Sequence, residues 1–497
     1  MTTAYHQLET RFARRGALQE ASAMLNWDYS TMMPTGGAAG RGEQIATLDG
    51  IAHELLTTPD LPDLFAKAEA QNDLDPWQRA NLHEMRRDWL HATAVPGDLV
   101  EALSKASLDC EMLWRQARPA NDFAALLPAL ERVVALTREA AAAKADKLGK
   151  PIYDALLDAY EPDGRADEID RQFEDLSRFL PDLIARVLDR QAARPAPLVP
   201  EGPFAVETQR EVGLKMMTAL GFEFEHGRLD VSMHPFCGGT PDDVRLTTRY
   251  EEADFGRALM GVLHETGHAL YERGLPLAWR RQPVGRARGM SLHESQSLLM
   301  EMQACRSRAF LSFATPILRA AFDGSGPAWE TENLYRFTTR VERSLIRVDA
   351  DEVTYPAHII LRYRLERAII EGRLRPRDLP EAWRAGFREL IGIDVPDDRA
   401  GCLQDIHWYT GLWGYFPTYT LGAMTAAQLF EAARARMPDL DTHLARGDFG
   451  PLLAWLREKV HSRASSVSTG RLIEEATGRP LDPGAFRRHI ERRYLGD

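Results

Sequence analysis

Apolar residues recur at helical spacing along most of the chain, and this pattern predicts a mostly α-helical protein. Residues 123–150 are rich in Ala, Leu, Glu and Lys, and they end in the Gly-then-Pro order typical of a helix C-terminus. Residues 169–194 and 206–220 show the same periodicity. Further helices are predicted near residues 297–322, 330–348, 356–372, 423–436 and 449–461.

Strand signals are confined to one short region. Residues 222–236 and 242–250 alternate apolar with polar positions, and Gly-Gly-Thr-Pro separates them. We therefore expect a small antiparallel sheet at residues 222–250.

A proline-rich stretch divides the chain without predicting two domains. The segment ARPAPLVPEGPFA, over residues 193–205, contains four prolines and cannot be regular helix. We interpret it as a loop within a single domain of residues 1–497. It would join an N-terminal helical layer (1–192) to the part that carries the chemistry (206–497).

Composition limits the partners and the compartment. The 497 residues are 44% hydrophobic and 27% charged, with a formal net charge of −12. An acidic chain is not expected to bind nucleic acid or anionic membranes. No secretory signal and no run of 18 apolar residues is evident. The four cysteines lie far apart with no CxxC pair, which favours reduced thiols in a cytoplasmic protein.

The segment HETGHALYERG, over residues 264–274, carries the candidate chemistry. His264 and His268 stand four apart in a predicted helix that ends at Gly274, so both imidazoles can converge on one ion. Zinc held by two histidines needs a third protein ligand and keeps one position for water. Glu265 lies beside that face and can accept the proton of the water as it attacks a carbonyl. The alternative is a buried, hydrogen-bonded histidine pair.

The next predicted helix offers the third ligand. Glu294 follows His264 by 30 residues, at a helix start in an otherwise apolar run. His293 is the rival ligand. Adjacent helical residues point about 100° apart, so the two are not expected to bind the same ion.

Six short motifs in a fixed order resemble those of the Taq-type zinc metallocarboxypeptidases. They are HPF at 234–236, DxRxT at 243–247, HExxH at 264–268, HESQ at 293–296, IRxxAD at 346–351 and GxxQDxHW at 401–408. The N-terminal segment at 25–48 is also similar to the WD…MP.GG segment of that family.

The resemblance implies a large, almost wholly α-helical peptidase with a deep cleft and a small sheet at its edge. The implied activity is removal of C-terminal residues from peptides with broad specificity. The implied cofactor is zinc, one ion per subunit, with cobalt as a possible substitute, and the implied assembly is a homodimer. Carried over to this chain, the metal ligands are His264, His268 and Glu294, and the general base is Glu265.

Other site residues are expected before and after the metal-binding motifs. By the same resemblance, His407 and Tyr419 would stabilise the negative charge that develops on the scissile carbonyl oxygen. His234 and Arg245 are candidates for binding the substrate. Arg347 is our preferred candidate for binding the terminal carboxylate of the substrate, because its planar guanidinium can bind two oxygens at once.

Two further expectations involve carboxylates near the candidate site residues. Arg347 could instead form a structural ion pair with Asp349 or Asp351. Glu301 lies two turns beyond Glu294 on the same face and could orient a ligating histidine.

Three other functions compete with the carboxypeptidase. A thimet-type oligo-endopeptidase has a similar helical cleft and HExxH, but it should also cut peptides with a blocked C-terminus. A non-catalytic zinc- or peptide-binding protein would not need a free base such as Glu265. A helical interaction protein with a chance motif would bind no metal.

Overall fold

A computed structural model describes residues 3–496, and most of them are helical as predicted. The N-terminal layer consists of α1 (Ala4–Thr31), α2 (Ala38–Thr57), α3 (Leu61–Glu69), α4 (Pro76–Thr93), α5 (Gly97–Ala120), α6 (Phe123–Leu148), α7 (Ile152–Leu157) and α8 (Ala166–Ala192). The predicted helix at 123–150 is α6. The Asp122 side chain accepts the Ala125 N–H at its start, and Gly149 ends it with φ of 64°.

The second part begins after residues 193–205, which contain neither helix nor strand, as their prolines predict. Its helices are α9 (Val206–Leu220), α10 (Phe255–Gly274), α11 (Met290–Leu298), α12 (Arg308–Ala321), α13 (Thr331–Thr338), α14 (Tyr355–Ile370), α15 (Leu379–Ile391), α16 (Pro417–Arg436), α17 (Leu440–Leu444), α18 (Gly450–Lys459), α19 (Thr469–Thr477) and α20 (Pro483–Ile490). One hydrophobic core joins α6 and α8 to α14, α15 and α16. The two parts therefore share buried surface.

The small sheet is mixed, so the prediction of a wholly antiparallel sheet is wrong in this respect. The strands β1 (Gly227–Val231), β2 (Cys237–Thr240) and β3 (Asp243–Thr248) lie in the order β1-β3-β2. β2 forms the antiparallel pair with β3, and β1 pairs with β3 in parallel. The Gly-Gly-Thr segment, which lies between the two predicted strand regions, belongs to β2. β2 therefore forms a hairpin with β3, and β1 lies along the opposite edge of β3.

Two predicted helices have different bounds in the structure. The helix predicted at 330–348 ends at Thr338, because side chains satisfy the backbone beyond it: Gln191 accepts the Val341 N–H, and Asp351 accepts the Glu342 N–H. The helix predicted at 297–322 is interrupted, since α11 continues as a π-helix over Leu299–Cys305 before α12 begins.

Close backbone packing places α10 against α11. A Cβ atom on Gly267, the glycine of HETGH, would lie 2.5 Å from the carbonyl oxygen of Gln296 and 2.6 Å from Cα of Ser297. On the other side of α11, a Cβ on Gly422 of α16 would lie 2.9 Å from Cβ of Glu294. Glycine at both positions lets the three helices approach closely, and this contact fixes where Glu294 points.

Within residues 3–496, no helix has the length and apolar character needed to span a membrane.

Candidate active site

Helix α10 presents both histidines of the HExxH motif. Its first turn is capped by the Asp254 side chain, which accepts the N–H groups of Gly256 and Arg257. The helix runs unbroken to Gly274, as predicted. His264 and His268 consequently lie one turn apart, with ring centroids 5.0 Å from each other.

Glu294 of α11 completes a cluster of three potential metal ligands. Its Oε2 atom is 3.7 Å from Nε2 of His264 and 3.4 Å from Nε2 of His268. Ligand atoms on a tetrahedral zinc ion with bonds of about 2.0–2.1 Å lie about 3.3 Å apart. Two imidazole nitrogens and one carboxylate oxygen at this spacing therefore fit a catalytic zinc ion, which uses three protein ligands.

Glu301 orients the first histidine, as the sequence suggested. Its Oε2 lies 3.0 Å from Nδ1 of His264, while its Oε1 accepts a hydrogen bond from Arg306. This contact places the proton on Nδ1 and leaves Nε2 directed at Glu294. Burial lowers the pKa of His264, but Glu294 and Glu301 outweigh burial and raise that pKa to about 10. The negative charge around the imidazole favours a bound cation.

His293 is turned away from the cluster. Its Nε2 lies 2.8 Å from Oε1 of Glu272, and its ring stacks on His268 with centroids 4.5 Å apart. Among residues 3–496, the group that can surround a metal ion comprises His264, His268 and Glu294, without His293.

Glu265 is positioned to act as a base. It lines the cleft beside His264 and is only 7% exposed. Burial, the largest influence, raises the pKa of its carboxyl group to about 7. No residue within 3–496 donates a hydrogen bond to this carboxylate, which leaves it free to accept a proton from water.

The cluster opens into a cleft of about 820 Å³. Tyr419 of α16 lines this cleft, whereas His407 stands behind it with Nε2 3.4 Å from the Tyr419 hydroxyl. Burial lowers the pKa of His407 to about 4, so the imidazole is neutral at pH 7. The structure thus brings the two predicted residues together, but only Tyr419 contacts the cleft.

Arg347 lines the same cleft and is anchored from behind. Its Nε donates to Oδ1 of Asp405 at 2.8 Å, and its Nη1 donates to the Tyr355 hydroxyl at 3.3 Å. Its backbone N–H donates to Gln404. Within the described chain, Nη2 has no hydrogen-bond partner. The guanidinium is therefore held in one orientation with part of its donor set unused.

The two ion pairs considered for Arg347 in the sequence do not form. Asp349 pairs with Arg257 instead, at 3.1 Å. Asp351 accepts the backbone N–H groups of Glu342, Val353 and Thr354.

The residue that does pair with Arg347 was missed in the sequence. Asp405 bridges Arg347 and the fully buried Arg362, whose Nε lies 2.6 Å from its Oδ2. The QD pair of the GxxQDxHW motif was the available signal. Arg347 and Asp405 lie 58 residues apart, so this aspartate connects two of the motifs.

Arg245 does not line the cleft. It pairs with Asp243 through two hydrogen bonds of 2.9 and 2.6 Å, and its guanidinium lies 4.6 Å from the ring centroid of Trp27. This arrangement ties β3 to α1. His234, by contrast, is exposed and lines the cleft.

A helical fold with a His₂Glu cluster beside a buried glutamate in a deep cleft defines the class of helical metallopeptidases. The chain belongs to one family of that class, because the model of the carboxypeptidase Taq (M32) metallopeptidase family matches residues 7–494. It is accordingly a metallocarboxypeptidase, as the sequence predicted.

Individual relatives agree with this assignment over their whole length. Thermostable carboxypeptidase 1 of Thermus thermophilus is 40% identical, covering 99% of this chain and 98% of that protein. The structure of Trypanosoma cruzi metallocarboxypeptidase 1 is 41% identical with a TM-score of 0.97, and covers 99% of each chain. The M32 carboxypeptidase of Deinococcus radiodurans is 36% identical with a TM-score of 0.93, again over 99% of each.

Proposed function

We propose that this enzyme is a zinc-dependent carboxypeptidase that releases C-terminal amino acids from peptides with broad specificity. The observation that carries the proposal is the convergence of His264, His268 and Glu294 next to Glu265, in the cleft that also holds Arg347. The three ligands would hold one zinc ion per subunit, and cobalt is a possible substitute because it accepts the same nitrogen and oxygen donors.

Glu265 would carry the proton during hydrolysis. A zinc ion bound by the cluster would supply Lewis acidity, which polarises the scissile carbonyl and lowers the pKa of water. Glu265 would accept the proton of the attacking water and pass it to the departing amine, so that no net proton is gained or lost. Burial disfavours the charged form of this carboxylate, which makes it a better proton acceptor.

Tyr419 would donate a hydrogen bond to the carbonyl oxygen as negative charge develops there. Burial raises the pKa of its hydroxyl well above the usual value, so the phenol keeps its proton at neutral pH. His407 would act through Tyr419 by holding the hydroxyl from behind, at 3.4 Å.

Arg347 would bind the terminal carboxylate of the substrate, and His234 would contact its backbone at the edge of the cleft. Met260, Met302 and Phe337 contribute adaptable apolar surface to the cleft, which would suit substrate side chains of different shapes. Arg245 was proposed to bind substrate from the sequence. Its place outside the cleft makes a role in supporting β3 the better proposal.

We further propose that the enzyme works in the cytoplasm as a homodimer. All four cysteines are free, which suits a reducing compartment. The dimer follows from the family resemblance, and light scattering on the purified protein would test it.

The function is tested by metal analysis together with hydrolysis of one N-blocked dipeptide, free and amidated at its C-terminus. A carboxypeptidase should contain about one zinc ion per chain and cleave the free peptide far faster. Equal cleavage of both peptides would favour a thimet-type oligo-endopeptidase. Bound zinc without hydrolysis would favour a binding protein.

Replacing Arg347 by methionine should lower kcat/KM for free-carboxylate peptides about 10- to 150-fold, because a charge-assisted contact of roughly 1.5–3 kcal/mol is lost. Amidated peptides never form this contact, so their slow cleavage should stay almost unchanged. The measured quantity is the ratio of the two kcat/KM values, which cancels any loss of folded protein. Arg245→Met is the matched control and should keep the wild-type ratio. If Arg347→Met kept the wild-type ratio of the two kcat/KM values, another group would bind the terminal carboxylate.

A further inference from the structure

A second cavity lies away from the cleft, between α5, α6 and the segment that follows His407. It measures about 510 Å³ and shares no lining residue with the catalytic cleft. Its apolar wall includes Val95, Leu103 and Leu156. A volume in this range is typical of sites for small molecules.

The one ammonium group lining this cavity, that of Lys144, is unpaired. Among residues 3–496, no acceptor lies within hydrogen-bonding distance of the Lys144 ammonium. Asp158 is the nearby acid that affects the pKa of Lys144. Its carboxylate already contacts Lys150, Arg87 and His91. Burial lowers the pKa of Lys144, although Asp158 acts in the opposite direction. The lysine therefore keeps a partly buried charge without a dedicated counter-ion, which is costly.

The one acid among the lining residues of this cavity, Glu111, does not neutralise Lys144. Glu111 lines the cavity, but its carboxylate accepts hydrogen bonds from Arg115 one turn along α5, at 2.6 and 3.2 Å. Lys144 also lines a neighbouring cavity of about 460 Å³, so it stands where two openings meet. A ligand can reach it without displacing a salt bridge.

Two further polar groups of the same wall lack partners. Thr137 and Trp413 both line the cavity and are 2% and 1% exposed, and neither Oγ1 of Thr137 nor Nε1 of Trp413 has a hydrogen-bond partner. Buried polar atoms are nearly always hydrogen-bonded. Both atoms are fully buried, so a ligand in the open cavity does not reach them. The accessible cation of the wall is the Lys144 ammonium, which donates hydrogen bonds only and favours a negatively charged group.

We propose that this cavity binds a small monocarboxylate with an apolar body. The carboxylate would lie against Lys144, where it replaces the missing counter-ion, and the apolar body would lie along Val95, Leu103 and Leu156. The negative charge of the carboxylate complements the Lys144 ammonium, and the three aliphatic side chains suit an uncharged body.

The test is isothermal titration of octanoate into the full-length, zinc-loaded enzyme. Octanoate should bind the wild type with a dissociation constant below about 1 mM, and Lys144→Met should weaken binding about tenfold or more. Lys144→Arg, which keeps the charge, should retain most of the affinity. Lys105→Met, an exposed position on α5 that does not line the cavity, is the control and should bind as the wild type does.

Peptide hydrolysis by the same variants separates this site from the cleft. Lys144→Met should cleave peptides at the wild-type rate, since it does not line the cleft. The proposal fails if Lys144→Met binds octanoate as tightly as the wild type, which would place the ligand in the cleft or elsewhere. It also fails if octanoate does not bind, or if octylammonium binds equally well, because the pocket would then not select a negative charge.

Discussion

Glu294→Ala is expected to remove most of the bound zinc, and with it nearly all peptidase activity. The side chain supplies the one carboxylate oxygen that faces both Nε2 atoms of His264 and His268. Two remaining ligands cannot hold an open catalytic site well, because zinc needs three protein ligands besides water. His264→Ala and His268→Ala should have the same effect. Elemental analysis after dialysis gives the zinc content, and the same samples give the rate of peptide cleavage.

His293→Ala is the matched control, since it removes the adjacent side chain on α11. His293 contacts Glu272 and stacks on His268, so its loss should leave the zinc content close to that of the wild type. The opposite pattern, with zinc kept in Glu294→Ala and lost in His293→Ala, would mean that α11 supplies the histidine instead. Circular dichroism of both variants would show that the overall helical content is unchanged.

The helices and the metal cluster could be predicted because their signals are local. Helical periodicity identified α6 and α9 nearly to the residue, and the four-residue spacing of His264 and His268 requires only that α10 be a helix. The position of Glu294 on the next predicted helix made it a candidate beside His293, and the family motifs then favoured Glu294. The close contacts at Gly267 and Gly422 explain how α11 comes near enough to α10 for Glu294 to face the two histidines. These contacts are visible only when the three helices are packed.

The sheet and the partner of Arg347 depend on contacts between distant segments, and the sequence pattern does not specify those. Period-two alternation identifies a strand but not its neighbour, so the segment that forms β2 was left between the predicted strands and the parallel pairing of β1 was missed. Charges close in sequence suggested Asp349 or Asp351 for Arg347. The fold instead brings Asp405 to it, because Arg362 of α14 and Arg347 share that buried carboxylate.

Glu265→Gln should keep the zinc but lower kcat about 10²- to 10⁴-fold. Glutamine fills the same volume and leaves the metal ligands in place, but its amide cannot accept the proton of the attacking water. The effect is expected in kcat and kcat/KM alike, since proton transfer occurs in the transition state and not on binding. Steady-state kinetics on a zinc-loaded sample, with metal content measured in parallel, gives both quantities.

A substitution at a neighbouring glutamate tests whether the loss of one negative charge is by itself enough to lower kcat. Glu272 lies two turns further along α10, and Glu272→Gln also removes one negative charge while its amide can still bond to His293. We therefore expect Glu272→Gln to retain kcat within a few-fold of the wild type. If zinc-loaded Glu265→Gln turned over peptides at a near-normal rate, Glu265 would not be the base. Its pKa of about 7 would then reflect burial beside the metal ligands and not a catalytic task.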